Sequence, residues 1–253
     1  MIPKIIHYCW FGRNPIPKEA EECINSWKKL MPDYEIVQWN EENYDVNKNK
    51  FIKEAYSAGK WAFVSDYARL DIIYNNGGIY FDTDVKAIRK FDDLLIENAF
   101  MGFEDKTYIS TGLGFGAEKG CVGIKKILEL YDNINFIKED GNYNYVNCPI
   151  ITTDLLKRYG LQQNDKFQNV IGISIYPTEY FGAMNYTTGI ANSTNNTYSI
   201  HLYSMSWVDD FEKKWKIREQ KLCKIMNYNL ARKIIRILNL PERVYRKVKK
   251  KIK

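Results

Sequence analysis

The sequence predicts an α/β fold, and three observations carry that reading. The first 39 residues alternate strand, helix and strand. An apolar helix ending in Asn76-Gly77-Gly78 feeds a short apolar strand, Ile79-Tyr80-Phe81. At 253 residues, with 45% hydrophobic and 27% charged side chains, the chain has the ordinary make-up of a soluble globular protein and can bury one sizeable core.

Residues 2–10 read as a buried first strand that ends at Phe11-Gly12. A helix opens at Ile16-Pro17-Lys18-Glu19, where proline suits a first turn, and runs to about Leu30 before Met31-Pro32-Asp33 breaks it. Residues 34–39 are a second strand, and Asn40-Glu41-Glu42 starts a helical turn. Residues 51–58 form a short helix closed by Gly59. Residues 61–75 form a stronger one, because Phe63, Val64, Tyr67, Leu70, Ile73 and Tyr74 recur at helical spacing. Strand 79–81 runs into Asp82-Thr83-Asp84, and 85–88 stays extended. Further strands are expected at 100–103, 109–117, 170–176 and 198–203, with helices at 119–131, 149–159 and 207–226. The C-terminal segment makes one or two helices around Pro241.

Charge is unevenly placed. Residues 229–253 hold ten Lys/Arg and one acid, Glu242, which is +9 of a whole-chain net charge of +6, so the body sums to −3. That distribution argues against a nucleic-acid partner for the body. Within the same segment Leu230, Ile234, Ile237 and Leu238, then Val244, Tyr245, Val248 and Ile252, lie among the basic side chains. A basic amphipathic helix of this kind can lie on an anionic membrane surface, and a solvated terminus explains it equally well. The five cysteines are odd in number and widely spaced, without a CxxC pair. Reduced thiols in the cytoplasm are the expectation. No secretory leader and no apolar run long enough for a transmembrane helix is read in the sequence.

The central chemical signal is Asp82-x-Asp84. In extended chain, residues i and i+2 point to one side, so two carboxylates meet just past a buried strand. They repel unless a cation lies near, and oxygen donors suit Mg²⁺ or Mn²⁺ shared with phosphates. Two solvated acids in a turn would be the plain reading of an arbitrary pair; the preceding Gly77-Gly78-Ile79-Tyr80-Phe81 favours a site. Asp66 and Arg69 share one helix face at i and i+3. They are a surface ion pair or, on a mostly buried helix, a pair kept for binding, for instance to sugar hydroxyls. Trp10 is a rim aromatic or a stacking platform for a nucleobase. His7 reads as a satisfied core residue. His201 is an ordinary strand histidine or a neutral imidazole completing a metal shell, with Ser204, Ser206 and Trp207 beside it. Gly112-x-Gly114-x-Gly116 reads as close backbone packing or a flexible loop.

Taken in order, residues 2–12 (Ile-Pro-Lys-Ile-Ile-His-Tyr-Cys-Trp-Phe-Gly), Ser65-Asp66-Tyr67-Ala68-Arg69 and Gly77 through Asp84 resemble the DXD-containing sugar transferases. That group includes bacterial capsular polysaccharide glycosyltransferases and the yeast initiating mannosyltransferase, with the clostridial glucosylating toxins more distant. The resemblance runs over about residues 1–207 and is strongest over 1–120. It implies a GT-A fold, a Rossmann-like nucleotide-diphospho-sugar transferase domain, over 1–226, with a basic helical tail at 227–253. It also implies a retaining hexosyltransferase that moves a sugar from a nucleoside-diphosphate donor, a UDP-sugar favoured, to a saccharide or lipid-linked saccharide acceptor in capsule or surface polysaccharide synthesis. On this likeness Trp10 would stack on the base, Asp66 and Arg69 would hold the donor sugar, Asp82 would contact ribose and sugar, and Asp84 would ligate Mn²⁺ or Mg²⁺. His201 would add a metal or diphosphate contact, with Ser206 and Trp207 close by. Asn147-Cys148-Pro149 falls where relatives carry a Gly-Pro segment near the acceptor, and the cysteine departs from that pattern. With the tail, this places the chain in the cytoplasm, peripheral on the inner face of the plasma membrane.

Two other readings compete. Tyr80-Phe81-Asp82-Thr83-Asp84-Val85 also resembles the nucleophile motif of haloacid-dehalogenase-type phosphatases, with Asp82 as nucleophile, although that motif normally sits on the first strand. A non-catalytic carbohydrate- or membrane-binding protein would use the aromatics and the tail alone.

Overall fold

The structure, a computed structural model, describes residues 1–205, 208–243 and 246. The chain divides into two compact units, Met1–Ala183 with Ser193–Tyr203, and Met184–Asn192 with Ser204–Lys253.

In the first unit the elements follow in the order β1 (Ile5–Cys9), α1 (Lys18–Leu30), β2 (Glu35–Trp39), α2 (Lys50–Ser57), α3 (Trp61–Asn76), β3 (Gly78–Tyr80), β4 (Val85–Ala87), β5 (Ala99–Phe103), β6 (Ile109–Ser110) and β7 (Phe115–Ala117). Then come α4 (Val122–Glu129), α5 (Cys148–Arg158), β8 (Gln168–Val170), β9 (Ile173–Tyr176), α6 (Thr178–Phe181) and β10 (Ser199–His201). The second unit has α7 (Asp210–Cys223) and α8 (Tyr228–Leu238), which pack through Phe211, Trp215 and Ile235, with Leu222 at the margin. One mixed sheet runs β2-β1-β3-β7-β5-β9-β8, with β6 against β5, and β4 pairs with β10 in a second, two-stranded sheet. β1 pairs in parallel with both β2 and β3, Ile6 standing opposite Ile36 and Ile79. Three neighbouring strands therefore deliver the residues just past their ends, Trp10, Asn40 and, after Phe81, Asp82, to one edge. Ligands gather at such carboxyl ends in open α/β sheets.

Side-chain alternation splits the core between the two faces of the sheet. Ile6, Tyr8, Ile79, Phe81 and Phe100 pack with Cys23, Ile24 and Trp27 of α1. Cys9, Tyr80, Met101, Phe103 and Phe115 pack with α2 and α3 on the other face. Ten of the sixteen residues of α3 are buried, among them Asp66, Arg69 and Asp71. A helix enclosed this far must satisfy its charges internally. Asp71 does so by accepting from Tyr44 Oη, Lys48 Nζ and Asn75 Nδ2, each at 2.8 Å. Gly77 ends α3 at φ 71°, a left-handed turn that suits glycine, and its N–H donates to Ile73 O at 2.8 Å.

Two expected strands are divided. Residues 109–117 form β6 and β7, because Thr111-Gly112-Leu113-Gly114 leaves the sheet between them. Residues 168–176 fold back as a β8–β9 hairpin, with Val170 opposite Ile173. Its two turn residues, Ile171 at φ 47° and Gly172 at φ 80°, are both left-handed, as a type I′ turn requires. Isoleucine is an unusual choice there, which is why sequence alone reads straight through the turn.

His7 is 2% exposed, and both ring nitrogens are satisfied. Trp39 Nε1 donates to Nδ1 at 3.0 Å, so Nε2 carries the proton and donates to Gly77 O at 2.9 Å. Burial lowers its pKa to about 4, against the pull of the Gly77 carbonyl. The unfolded chain takes up this proton near pH 6.5, so the folded state's advantage is complete above that pH and is lost as pH falls to about 4. Urea unfolding between pH 7 and 4 should show a loss of up to about 3 kcal/mol in the wild type that is missing from His7→Phe. Parallel pH slopes in the two proteins would contradict this.

Candidate active site

Two networks meet at Asp82, which follows β3. The first surrounds Arg69, whose side chain is 4% exposed. Its Nη2 contacts Asp66 Oδ1 at 3.0 Å and Asp82 Oδ1 at 3.1 Å, and its Nε donates to Ser65 O at 3.0 Å. Its Nη1 reaches Thr111 Oγ1 at 3.5 Å and Cys148 Sγ at 3.7 Å. The guanidinium lies over the Tyr80 ring, 5.1 Å from its centroid, and the Tyr80 hydroxyl donates to Asp82 Oδ1 at 3.0 Å. Every edge of the guanidinium is thus engaged by the protein. Asp66 also accepts from the backbone and thiol of Cys148, at the start of α5. Gly112 closes over this group: a Cβ there would lie 2.5 Å from Asp82 Oδ2 and 3.2 Å from Arg69 Nη1, so any larger residue would push the Asp82 carboxylate out of place.

The second network is built by the short sheet. β10 runs antiparallel to β4 with His201 opposite Val85, and Leu202 N donates to Asp84 O at 2.8 Å. That pairing brings His201 Nε2 to 2.9 Å from Asp84 Oδ1, across 117 positions of sequence. Asp82, Asp84 and His201 each offer one ligand atom, all within 4.8 Å of one another. Two carboxylates and an imidazole are a donor set suited to Mn²⁺ or Mg²⁺, so the residues fit the cation expected from the sequence. Glu104, just past β5, faces His201 and bonds Tyr203, whose ring centroid is 4.2 Å from that of His201.

Electrostatics follow from this enclosure. Burial pushes Asp82 up to about 6, opposed by Arg69 and reinforced by Asp84. Burial also raises Asp66, against the pull of Arg69. For His201, burial disfavours the charged ring, but Asp84, with Asp82 and Glu104 behind it, outweighs that and lifts it to about 8. Burial drives the Cys148 thiol well above its ordinary range, so it is neutral and serves as a packing and hydrogen-bonding group.

The structure therefore gathers Asp66, Arg69, Asp82, Asp84 and His201 through shared contacts. Trp10 lies past β1 on the same sheet edge; its indole N–H donates to Asn14 O at 2.7 Å and its ring packs on the α1-side core. Ser206 and Trp207 lie outside the described residues. Sequence reasoning passes over Tyr80, Thr111, Glu104 and the bonding role of Cys148. Only Glu104 carried a usable signal, an acid directly after a buried strand, as at Asp82.

An open α/β sheet with paired acids and an imidazole beyond its parallel strand ends has a donor set that suits a hard cation, placed where such folds gather ligands. Comparison with known proteins narrows that reading. Residues 17–101 match the family described as "Glycosyltransferase sugar-binding region containing DXD motif". The chain is 35% identical over 127 residues to inositol phosphoceramide mannosyltransferase 3 of Schizosaccharomyces pombe, covering 47% of this chain and 34% of that one. An uncharacterized glycosyltransferase of Acanthamoeba polyphaga mimivirus is 26% identical over 244 residues, 90% of this chain and 89% of its own length. The matched segment thus spans about a third of the yeast protein. Among solved structures, the PaToxG glycosyltransferase superposes with a TM-score of 0.50 at 19% identity, over 62% of this chain and 68% of that one. That likeness shows the fold, the GT-A class expected from the sequence.

A cation entering this cluster must displace protons. Mn²⁺ affinity, measured by calorimetry, should fall about tenfold per pH unit between pH 8 and 6 as His201 holds its proton, and more steeply below 6 as Asp82 joins it. A flat profile over that range would place the cation elsewhere.

Proposed function

We propose that this protein is a retaining, divalent-metal-dependent glycosyltransferase. It moves a sugar from a nucleoside-diphosphate donor, a UDP-sugar favoured, to a hydroxyl of a saccharide or lipid-linked saccharide in capsule or surface polysaccharide synthesis. The observation that carries the reading is the double membership of Asp82, braced by Arg69 and Tyr80 on one side and clustered with Asp84 and His201 on the other. The family match at 17–101 and the mannosyltransferase names of the yeast relatives support it.

A divalent ion held by Asp84, Asp82 and His201 supplies charge neutralisation for the departing diphosphate. The protein's own part is positioning. Arg69 spends its donors on Ser65, Asp66 and Asp82, so it acts as a brace that fixes two carboxylates. Asp82 Oδ1 is saturated by Arg69 and Tyr80, while its Oδ2, beside Gly112, takes no hydrogen bond among the described residues and is presented to ribose and sugar hydroxyls. Asp66 is held at the start of α5 for the same purpose. Rigid acceptors at fixed spacing lower the entropic part of the barrier. Trp10, on the same edge, stacks on the base. In the transfer the bond from the anomeric carbon to the phosphate oxygen breaks, the bond to the acceptor oxygen forms on the same face, and the acceptor proton passes to the leaving diphosphate. Five free cysteines, four of them buried, support a reducing, cytoplasmic setting.

Asp84→Ala should cut Mn²⁺-dependent hydrolysis of the best nucleotide-sugar at least a hundredfold, read by nucleotide release across a donor panel. Arg69→Lys should lower kcat about tenfold or more, because an ammonium loses the bonds to Ser65, Thr111 and Cys148 and the planar face over Tyr80 that fix the group. Full activity in Asp84→Ala would remove the metal assignment. Turnover of simple phosphomonoesters without donor turnover would point instead to phosphatase chemistry at Asp82.

A further inference from the structure

His201 closes β10 with an uneven set of partners. Its Nε2 meets Asp84 Oδ1 at 2.9 Å, whereas its Nδ1 is buried and takes no hydrogen bond among the described residues. Histidines that bind metals ordinarily bond the second ring nitrogen to a carboxylate or carbonyl, and that bond fixes the plane of the ring. Cation binding at Nε2 costs His201 its bond to Asp84. The imidazole must then be oriented by packing.

The packing comes from Tyr203. This residue is buried, and its ring centroid lies 4.2 Å from that of His201, the two rings tilted by 60°. Its φ is 51°, in the left-handed region that bulky side chains seldom adopt. Backbone held there persists only where the surroundings over-determine it, and such residues cluster at functional sites. The Tyr203 hydroxyl interacts with the Glu104 carboxylate, which also faces His201. Glu104 is set by the main sheet. β7 runs antiparallel to both β3 and β5, so β5 is parallel to β3, and Glu104 emerges on the edge that carries Asp82. Its N–H donates to Tyr108 O at 2.7 Å. Gly182, bridged to Ile200 of β10, packs on the end of β5, where a Cβ would lie 2.6 Å from Phe103 O and 2.9 Å from Glu104 O. The main sheet and β10 are thus held close at the point where Glu104, Tyr203 and His201 meet.

We propose that Tyr203 and Glu104 are positioning residues for the cation site: the Tyr203 ring fixes the plane of His201, and Glu104 anchors Tyr203 through its hydroxyl. The proposal rests on the reading of Asp82, Asp84 and His201 as cation ligands. The test is calorimetric titration of the metal-free full chain with Mn²⁺ at pH 8, without donor. Tyr203→Leu and Glu104→Ala should each weaken Mn²⁺ binding about tenfold or more. Glu104→Gln still accepts from the Tyr203 hydroxyl and should stay within about threefold of wild type, as should Tyr203→Phe, which keeps the ring. The chain has two histidines, so NMR of the ring protons separates their signals. In metal-free Tyr203→Leu the His201 signals should shift, and those of His7 should stay, as they do when the core is intact. Wild-type affinity in both Tyr203→Leu and Glu104→Ala, with binding lost in Asp84→Ala, would overturn the proposal and leave the cation site standing. An equal loss in Glu104→Gln and Glu104→Ala would show the carboxylate acting by charge, which also overturns it. No Mn²⁺ binding by the wild type would overturn the cation site and the proposal together.

Discussion

The site depends on one guanidinium shared between a buried carboxylate, Asp66, and a partly buried one, Asp82. Arg69 sits in a helix that is buried nearly all round, and without it Asp66 and Asp82 would face each other with only His201, paired to Asp84, as counter-charge. Removing one partner from such a buried set typically costs about 3–5 kcal/mol, because the remaining charges keep their desolvation penalty. Stability and site geometry are therefore coupled in this residue. The surroundings are adjusted to it: Tyr80 offers its ring face and its hydroxyl, Thr111 and Cys148 take the remaining N–H edge, and Gly112 withholds a Cβ so that the group can close.

Topology supplies the rest. Parallel pairing of β1 with β3 places Asp82 on the same edge as Trp10. The two-stranded β4–β10 sheet then fetches His201 from the far end of the first unit and sets it against Asp84. The carboxylates bring unfavourable mutual charge, and the imidazole, lifted to about 8 by them, partly relieves it. The cluster holds protons that a cation would have to displace, which would tie cation uptake to pH.

Much of this was legible in the chain. The β1–α1–β2 alternation, the helix over 61–75 and the strand into Asp82-Thr83-Asp84 follow from local periodicity and from Gly77, and the structure has them with small shifts at the ends. Contacts set by distant sequence were harder to see. Thr111 and Cys148 join Arg69 only because β6 and α5 converge there, and nothing local marks them. The split of 109–117 was foreshadowed by its glycines, read as close packing, and Gly112 shows that packing against a carboxylate. The β8–β9 turn was hidden because Ile171 occupies a position where Asn or Gly would have announced it. In α8 the periodicity was plain, but which face turned inward could only come from its packing on α7.

The central claim is that Asp82 and Asp84, with His201, hold a cation that engages a diphosphate. Anomalous diffraction from crystals grown with Mn²⁺ and UDP tests it most directly. The account predicts a manganese peak bonded to Asp84 and beside Asp82 and His201, with diphosphate oxygens completing its shell and the base on the Trp10 side. Manganese and nucleotide ordered together at another place, with Asp84 still bonded to His201, would contradict it.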